Sequence, residues 1–175
     1  MKNILRLSAL ATALFFASAS SNTASAQASA TASASVNIVT PISISKTVDM
    51  HFGNVAVSAS APGTVILAPA GTRTITGGVT LPAVTGSPAA ASFTVSGEAN
   101  YTYAITLPSS NITLADASNN QMSAGTFTSS PSATGTLSAS GSQTLTVGAT
   151  LGVGAAQPAG TYTTATNFDV TVNYN

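Results

Sequence analysis

Apolar side chains recur at every second position along several stretches of this 175-residue chain. Every odd position is apolar in the run 145–153, and the same odd phase extends over 93–95 and 101–107. A period of two places alternate side chains on opposite faces of a β-strand, whereas a helix repeats about every 3.6 residues. Clusters of Pro, Gly, Ser and Asn separate the runs. The pattern predicts an all-β fold of many short strands, an Ig-like antiparallel β-sandwich.

Strand boundaries follow from the same alternation. Residues 93–95 and 101–107 are predicted to pair as a hairpin across Gly97 and the polar segment Glu98–Asn100. A single closing strand is predicted from Gly160 to the end of the chain. Shorter strands are predicted at 36–45, 47–52, 64–67, 73–81, 111–114 and 126–128.

The first 26 residues have the features of a cleaved secretory signal. Lys2 and Arg6 precede an apolar stretch at 7–19, and the small residues of Ala24-Ser25-Ala26 suit signal peptidase. The apolar stretch is shorter than the roughly 20 residues that cross a bilayer. We therefore predict a protein exported to the periplasm, the cell surface or the medium, with no transmembrane segment in the mature chain.

Cleavage after Ala26 would leave 149 of the 175 residues, a length typical of one domain, which we predict over 36–175. The mature chain would carry two basic and four acidic side chains, a formal charge of −2. Nucleic-acid binding requires clustered Lys and Arg to displace counterions, so no nucleic-acid partner is expected. The sequence contains no cysteine, which excludes disulfides and thiolate metal sites.

Few side chains could carry catalysis. His51 is the single histidine, and no Gly-x-Ser-x-Gly element supplies a nucleophile for it. Glu98 and Asp169 are the carboxylates that a glycosidase could pair across a cleft, but both are predicted to lie at the surface. The segment Asp116–Asn120 is typical of a turn, because Asp and Asn bond to their own backbone. We expect no enzyme activity, no metal site and no cofactor.

The segment that follows the predicted signal alternates strictly between apolar and polar residues from position 28 to position 38. In donor-strand complementation, such a segment inserts its apolar face into the groove left by a missing strand in another subunit. Residues 27–35 are predicted to be an N-terminal extension with this role. Two alternatives remain, a disordered Ala/Ser leader or the start of the domain's own first strand, since Ala and Ser are poor strand formers. The donor face would comprise Ala28, Ala30, Ala32, Ala34, Val36 and Ile38.

The end of the chain is the predicted counterpart of this donor. Its closing strand would present an apolar face and an edge to which another chain could add a strand. We predict that this strand lines the acceptor groove or pairs with a periplasmic chaperone. The side chains concerned are Phe168, Val170, Val172 and Tyr174.

Three short motifs carry a resemblance to known proteins. A turn with Gly160 and Tyr162 leads into a strand with a penultimate Tyr174, and Met50–Asn54 is similar to a Leu-x-Phe-Gly element. The stretch Ala91–Pro108 looks like the central strand pair of an uncharacterised bacterial secreted-domain family. These motifs resemble the spore-coat-protein-U and chaperone-usher pilin subunits, although the spore-coat-U type usually carries cysteines. The resemblance implies a fimbrial subunit that a periplasmic chaperone and an outer-membrane usher assemble.

Two functions are expected from these features. The first is an exported structural or adhesive surface protein, a pilin-like subunit that self-associates by β-strand complementation in attachment or biofilm. The alternative is a monomeric secreted β-sandwich that binds a ligand such as a glycan. Deleting residues 27–35 would separate them, because only the first would lose its polymers.

Overall fold

The computed structural model describes residues 27–175, so the predicted signal at 1–26 lies outside the described residues. The described chain consists of strands and connecting loops without a helix, which confirms the all-β prediction. Its strands are β1 Ser43–Val48, β2 Ala56–Val57, β3 Gly63–Leu67, β4 Arg73–Gly77, β5 Val79–Thr80, β6 Ala91–Ser96, β7 Thr102–Thr106, β8 Ile112–Ala115, β9 Gln121–Ser130, β10 Thr134–Thr136, β11 Ser142–Val153, β12 Thr163–Thr164 and β13 Thr171–Tyr174.

Strand β11 organises the larger sheet. One edge of β11 pairs with β9, and its other edge pairs first with β6 and then with β3, which follow one another along that edge. The sheet extends from β6 to β1, from β3 to β4, and from β9 to β8 and β12. These pairings are antiparallel. A three-stranded sheet in the order β10-β7-β13 and a two-stranded sheet of β2 and β5 complete the fold.

Two apolar clusters lie in series along β11, whose odd-numbered side chains face inward along its length. The β7 cluster is formed where the three-stranded sheet packs on β6 and the first half of β11, and the β3 cluster lies along its second half. The buried residues of the β7 cluster are Ala91, Val95, Tyr103, Leu137, Leu145, Val147 and Val172. Those of the β3 cluster are Phe52, Val65, Leu67, Val79, Leu114, Ala124, Ala149, Leu151 and Val153.

Strand β9 carries a β-bulge opposite the middle of β11. Across Gly148–Thr150 of β11, β9 runs from Thr128 to Gly125, so β9 has one extra residue at this point. The inward-facing positions of β9 change there from even to odd. As a result Ala124 is buried in the β3 cluster, while Phe127 packs against both clusters.

The predicted hairpin between residues 93–95 and 101–107 is wrong, although both stretches form strands. β6 pairs with β1 and β11 in the larger sheet, whereas β7 pairs with β10 and β13. Both strands direct their odd-numbered side chains into the β7 cluster, so they face each other across the core. A turn in which the N–H of Tyr101 donates to the carbonyl of Glu98 (3.3 Å) joins them. The connection therefore arches from one sheet to the other.

Several predicted strand boundaries also need correction. The closing strand divides into β12 and β13 with a non-strand segment between them, and residues 27–42 form no strand. The alternation at both places continues across residues whose backbone does not pair with a described strand. The predicted strand 47–52 reduces to the end of β1 and a bridge between His51 and Ala89. Residues 64–67 and 111–114 match β3 and β8 closely, 73–81 divides into β4 and β5, and 126–128 is part of the longer β9.

The turn predicted at Asp116–Asn120 is confirmed. Oδ1 of Asp116 accepts hydrogen bonds from the backbone N–H groups of Ser118 (2.9 Å) and Asn120 (2.8 Å). Oδ2 of Asp116 accepts a bond from the side-chain amide of Asn120 (2.7 Å). The Asn120 side chain, and to a smaller extent these N–H groups, lower the pKa of Asp116 because they stabilise the carboxylate. The turn thereby closes the β8–β9 hairpin.

This turn should make an acid-sensitive contribution to stability. Because the folded-state pKa of Asp116 is lowered, its contribution is complete above the ordinary pKa and is lost as the pH falls through the folded value. We expect Asp116→Ala to be less stable than the wild type at about pH 7, and this difference to shrink at about pH 3. Urea denaturation at both pH values measures the difference, with Asp169→Ala, another exposed carboxylate, as the control. Equal pH dependence in both variants would contradict the role of the turn.

Candidate functional site

One side of the sandwich is bordered by two strands that each have an outer edge without a described partner. β1 ends the larger sheet and pairs with β6, and β13 ends the three-stranded sheet and pairs with β7. Cα atoms of β1 and β13 come within 8 Å of each other. A free strand edge presents N–H and C=O groups that can bind a further strand. We call this side of the domain, bordered by β1 and β13, the open edge.

Half-buried apolar side chains lie behind the open edge. They pack against the β7 cluster from the β1 side and from the β13 side, yet each keeps part of its surface accessible. A strand added here would cover some of that surface, which is favourable by roughly 25 cal/mol per Å². These side chains are Ile42, Ile44, Phe168, Val170 and Tyr174.

The four predicted groove residues are brought together on the β13 side of the open edge. Val172 and Tyr174 belong to β13, while Phe168 and Val170 lie in the segment that precedes it. Val172 is buried in the β7 cluster, and the other three pack against that cluster. The ring of Phe168 also packs on Phe127, with ring centroids 5.1 Å apart.

The predicted donor face lies mainly outside the compact part of the domain. The contacts of the chain divide it between residues 37 and 38, so Ala28 to Val36 belong to one unit and Ile38 to the other. Residues 27–38 are exposed and form no strand, and the side chains of Val36 and Ile38 are 85% and 88% exposed. Large apolar side chains in such a position have most of their surface available for a contact.

A closed set of hydrogen bonds links Thr40, Glu98 and Tyr174 at one end of the open edge. The Tyr174 hydroxyl donates to the carbonyl of Thr40 (2.7 Å) and accepts from the N–H of Glu98 (2.6 Å). The N–H of Thr40 in turn donates to Oε2 of Glu98 (2.9 Å), and this bond lowers the pKa of that carboxyl group. Gly97 makes room for the arrangement, because a Cβ there would overlap the Tyr174 hydroxyl. We call these three residues the Thr40 clasp.

Sequence reasoning identified Tyr174 but missed its two partners in the clasp. Thr40 and Tyr174 are 134 positions apart, so their contact depends on how the sheets pack. Glu98 was interpreted as an ordinary surface carboxylate. The available signal was that Glu98 is the single glutamate of a chain with only 5% charged residues, and that it directly follows a glycine.

Two clefts adjoin Leu107, which follows β7. The larger, about 470 Å³, is lined largely by Ser, Thr and Asn side chains, with Phe168 and Asp169 contributing to its wall. The smaller, about 330 Å³, is more apolar and includes Ile105 and Phe127. Neutral hydrogen-bonding groups beside an aromatic ring suit an uncharged, hydroxyl-rich ligand better than a charged one.

The described residues offer little for metal chemistry. Within 27–175, no three His, Asp or Glu side chains lie close enough together to hold a metal ion. His51 is exposed, and its backbone forms a β-bridge with Ala89. Over the same range, the chain has no helix with the length and apolar character needed to cross a membrane.

Comparison with known proteins places the chain in a family. The search of curated proteins and the search of solved structures each returned no significant match. A family model described as Domain of unknown function (DUF4402) matches residues 42–174, which extend from just before β1 to the end of β13. Because this match covers well over half of the chain, the protein belongs to the DUF4402 family.

Proposed function

We propose that this protein is an exported structural or adhesive subunit that joins copies of itself by β-strand complementation, in the manner of fimbrial pilins. The observation that supports the proposal most directly is the open edge, where two free strand edges are backed by half-buried apolar side chains. Export is inferred from the signal-like sequence at 1–26. Attachment to surfaces or biofilm formation would be the role of the resulting fibre.

In this proposal the donor is the 28–38 segment of a second copy. Its polar residues would face solvent while its alternate apolar residues cover the open edge, and its backbone would bond to the free edge of β13. Val36 and Ile38 would contribute most, because burying such a side chain is worth roughly 1.5–3 kcal/mol. A periplasmic chaperone would cover the open edge before assembly, and an outer-membrane usher would mediate the exchange.

Paired charge substitutions in the donor segment test the proposal. Val36→Asp with Ile38→Asp places two carboxylates on the apolar face, whereas Ser35→Asp with Asn37→Asp adds the same charge on the polar face. We expect the wild type and the polar-face variant to form a series of oligomers, and the apolar-face variant to be monomeric, because buried unpaired carboxylates are costly. The full chain is exported to a bacterial periplasm, and mass is measured by light scattering after gel filtration.

Two results would contradict the proposal. One is the same oligomer distribution in both charge variants, since strand complementation distinguishes the faces of the donor. The other is a folded wild-type monomer under all concentrations tested, which would favour the alternative of a secreted binding module. The cleft of about 470 Å³ beside Phe168 is the observation that supports this alternative. A rise in melting temperature on adding a neutral oligosaccharide would then be its test.

A further inference from the structure

The donor segment has two acceptors within reach, the open edge of its own domain and that of a second copy. Thr40 lies between the donor segment and β1, and the Thr40 clasp holds it. We propose that the Thr40 clasp directs the donor segment to a second copy, by preventing the chain from turning back onto its own open edge. This inference rests on the proposed function, and it names the residues that decide between a polymer and a self-closed monomer.

The direction of the chain makes a reversal necessary for self-closure. Ser43 at the start of β1 pairs with Ser96, and Glu98, two positions further on, contacts Tyr174 at the end of β13. The start of β1 and the end of β13 therefore lie at the same end of the open edge, and β1 runs along the edge away from this end. Residues before Thr40 could lie along the same edge only if the chain reversed between them and β1.

The clasp occupies the groups that such a reversal would disturb. The N–H of Thr40 is bound to the Glu98 carboxylate and its C=O to the Tyr174 hydroxyl. A tight turn at this point would rotate both groups away from these partners. Pro41, the next residue, has no N–H and favours extended backbone at Thr40. Self-closure therefore requires opening the clasp, and an intact clasp leaves a second copy as the acceptor.

Substitutions in the clasp test the inference. Tyr174→Phe removes the hydroxyl but keeps the ring, which packs edge to face on Tyr101 with centroids 5.6 Å apart. We expect its ratio of monomer to polymer to rise about tenfold over the wild type at equal concentration, because the hydroxyl makes two hydrogen bonds of the clasp. The monomer should protect residues 27–37 from limited proteolysis, since the segment has folded back. Light scattering gives the ratio, and mass spectrometry of the fragments gives the protection.

A second pair of variants separates loss of the clasp from loss of folding. Glu98→Ala removes the acceptor of the Thr40 N–H and should also favour protected monomers. Glu98→Gln keeps an acceptor oxygen and should retain the wild-type distribution. Tyr101→Phe, which removes a hydroxyl outside the clasp, is the control for the Tyr174 substitution.

Each outcome bears on the clasp. Protected monomers in Tyr174→Phe and Glu98→Ala, with polymers in the controls, would support the inference. Polymers in all variants would overturn the clasp while leaving strand complementation intact. Folded monomers with an unprotected 27–37 segment in the clasp variants would also overturn it, since the clasp would then serve the acceptor alone. An unprotected monomer in the wild type would overturn both the clasp and the proposed function.

Discussion

Gly148→Ala is expected to lower the free energy of unfolding by about 3 kcal/mol, the upper part of the range for overpacked sites. A Cβ at this position would overlap the carbonyl oxygen of Leu67 and would lie 2.8 Å from the carbonyl carbon of Ala68 and 2.9 Å from the nitrogen of Pro69. All three are backbone atoms at the end of β3, so no side-chain rotation can relieve the overlap. The β11–β3 pairing next to Gly148 must separate instead.

Thermal or urea unfolding of the purified domain measures this loss, and the same strand supplies a control. Gly152→Ala would place its Cβ 3.6 Å from the nearest atoms of Ser123, which is ordinary contact. We expect that variant to differ from the wild type by about 0.5 kcal/mol or less, because reduced freedom of the unfolded chain offsets small losses. Similar stability of the two variants would contradict the close approach of β11 to the end of β3.

Tyr103→Ala is expected to lower the free energy of unfolding by about 3 to 5 kcal/mol, as large core truncations of aromatic residues do. The ring is fully buried in the β7 cluster between the two sheets. It lies so close to Gly135 that a Cβ there would overlap it, and its hydroxyl donates to Oε1 of Gln143 (2.8 Å). Removing the ring leaves a cavity that the facing strands cannot close without losing their register.

Two further substitutions apportion this effect. Burial raises the pKa of Tyr103, so its hydroxyl stays protonated and remains a donor at neutral pH. Tyr103→Phe should therefore cost only about 1 kcal/mol, the net value of one hydrogen bond, since Gln143 Oε1 still accepts from the N–H of Thr136 (2.9 Å). Tyr101→Ala, at a position 43% exposed, should also cost about 1 kcal/mol. A loss for Tyr103→Ala as small as these would mean that the core repacks.

Alternation of apolar residues was sufficient to predict which side chains form the core, because it reports the inward face of a strand directly. Residues 145–153 illustrate this, since their five odd positions are all buried in β11. The alternation could not reveal the β9 strand beyond 126–128, because the bulge changes the inward phase between Ala124 and Phe127. A period-two pattern with an extra residue looks like two short, unrelated fragments.

Pairing partners were beyond the reach of the sequence for a different reason. Residues 93–95 and 101–107 share an inward phase, and two strands of one hairpin and two strands facing each other across a core both satisfy that condition. The connection at Glu98–Tyr101 is short enough for either arrangement. Only the positions of β11 and β13, far away in sequence, decide between them.

The candidate site could be predicted in part. Strand phase pointed to Val172 and Tyr174 in β13, and the structure places both against the β7 cluster. The same phase extended the strand back to Phe168, where the backbone does not pair with a described strand. The open edge depends on which strands end each sheet, and the clasp depends on a contact between two distant segments, so neither could be derived from local pattern.

The position of β11 in both apolar clusters has a consequence for how the domain unfolds. Either cluster alone can be opened only by releasing β11 from β9, and that release also weakens the other cluster. Partial melting of one half therefore gains little entropy for the contacts it loses. The domain should resist local opening and behave as a single cooperative unit, with its survival against proteases governed by global unfolding.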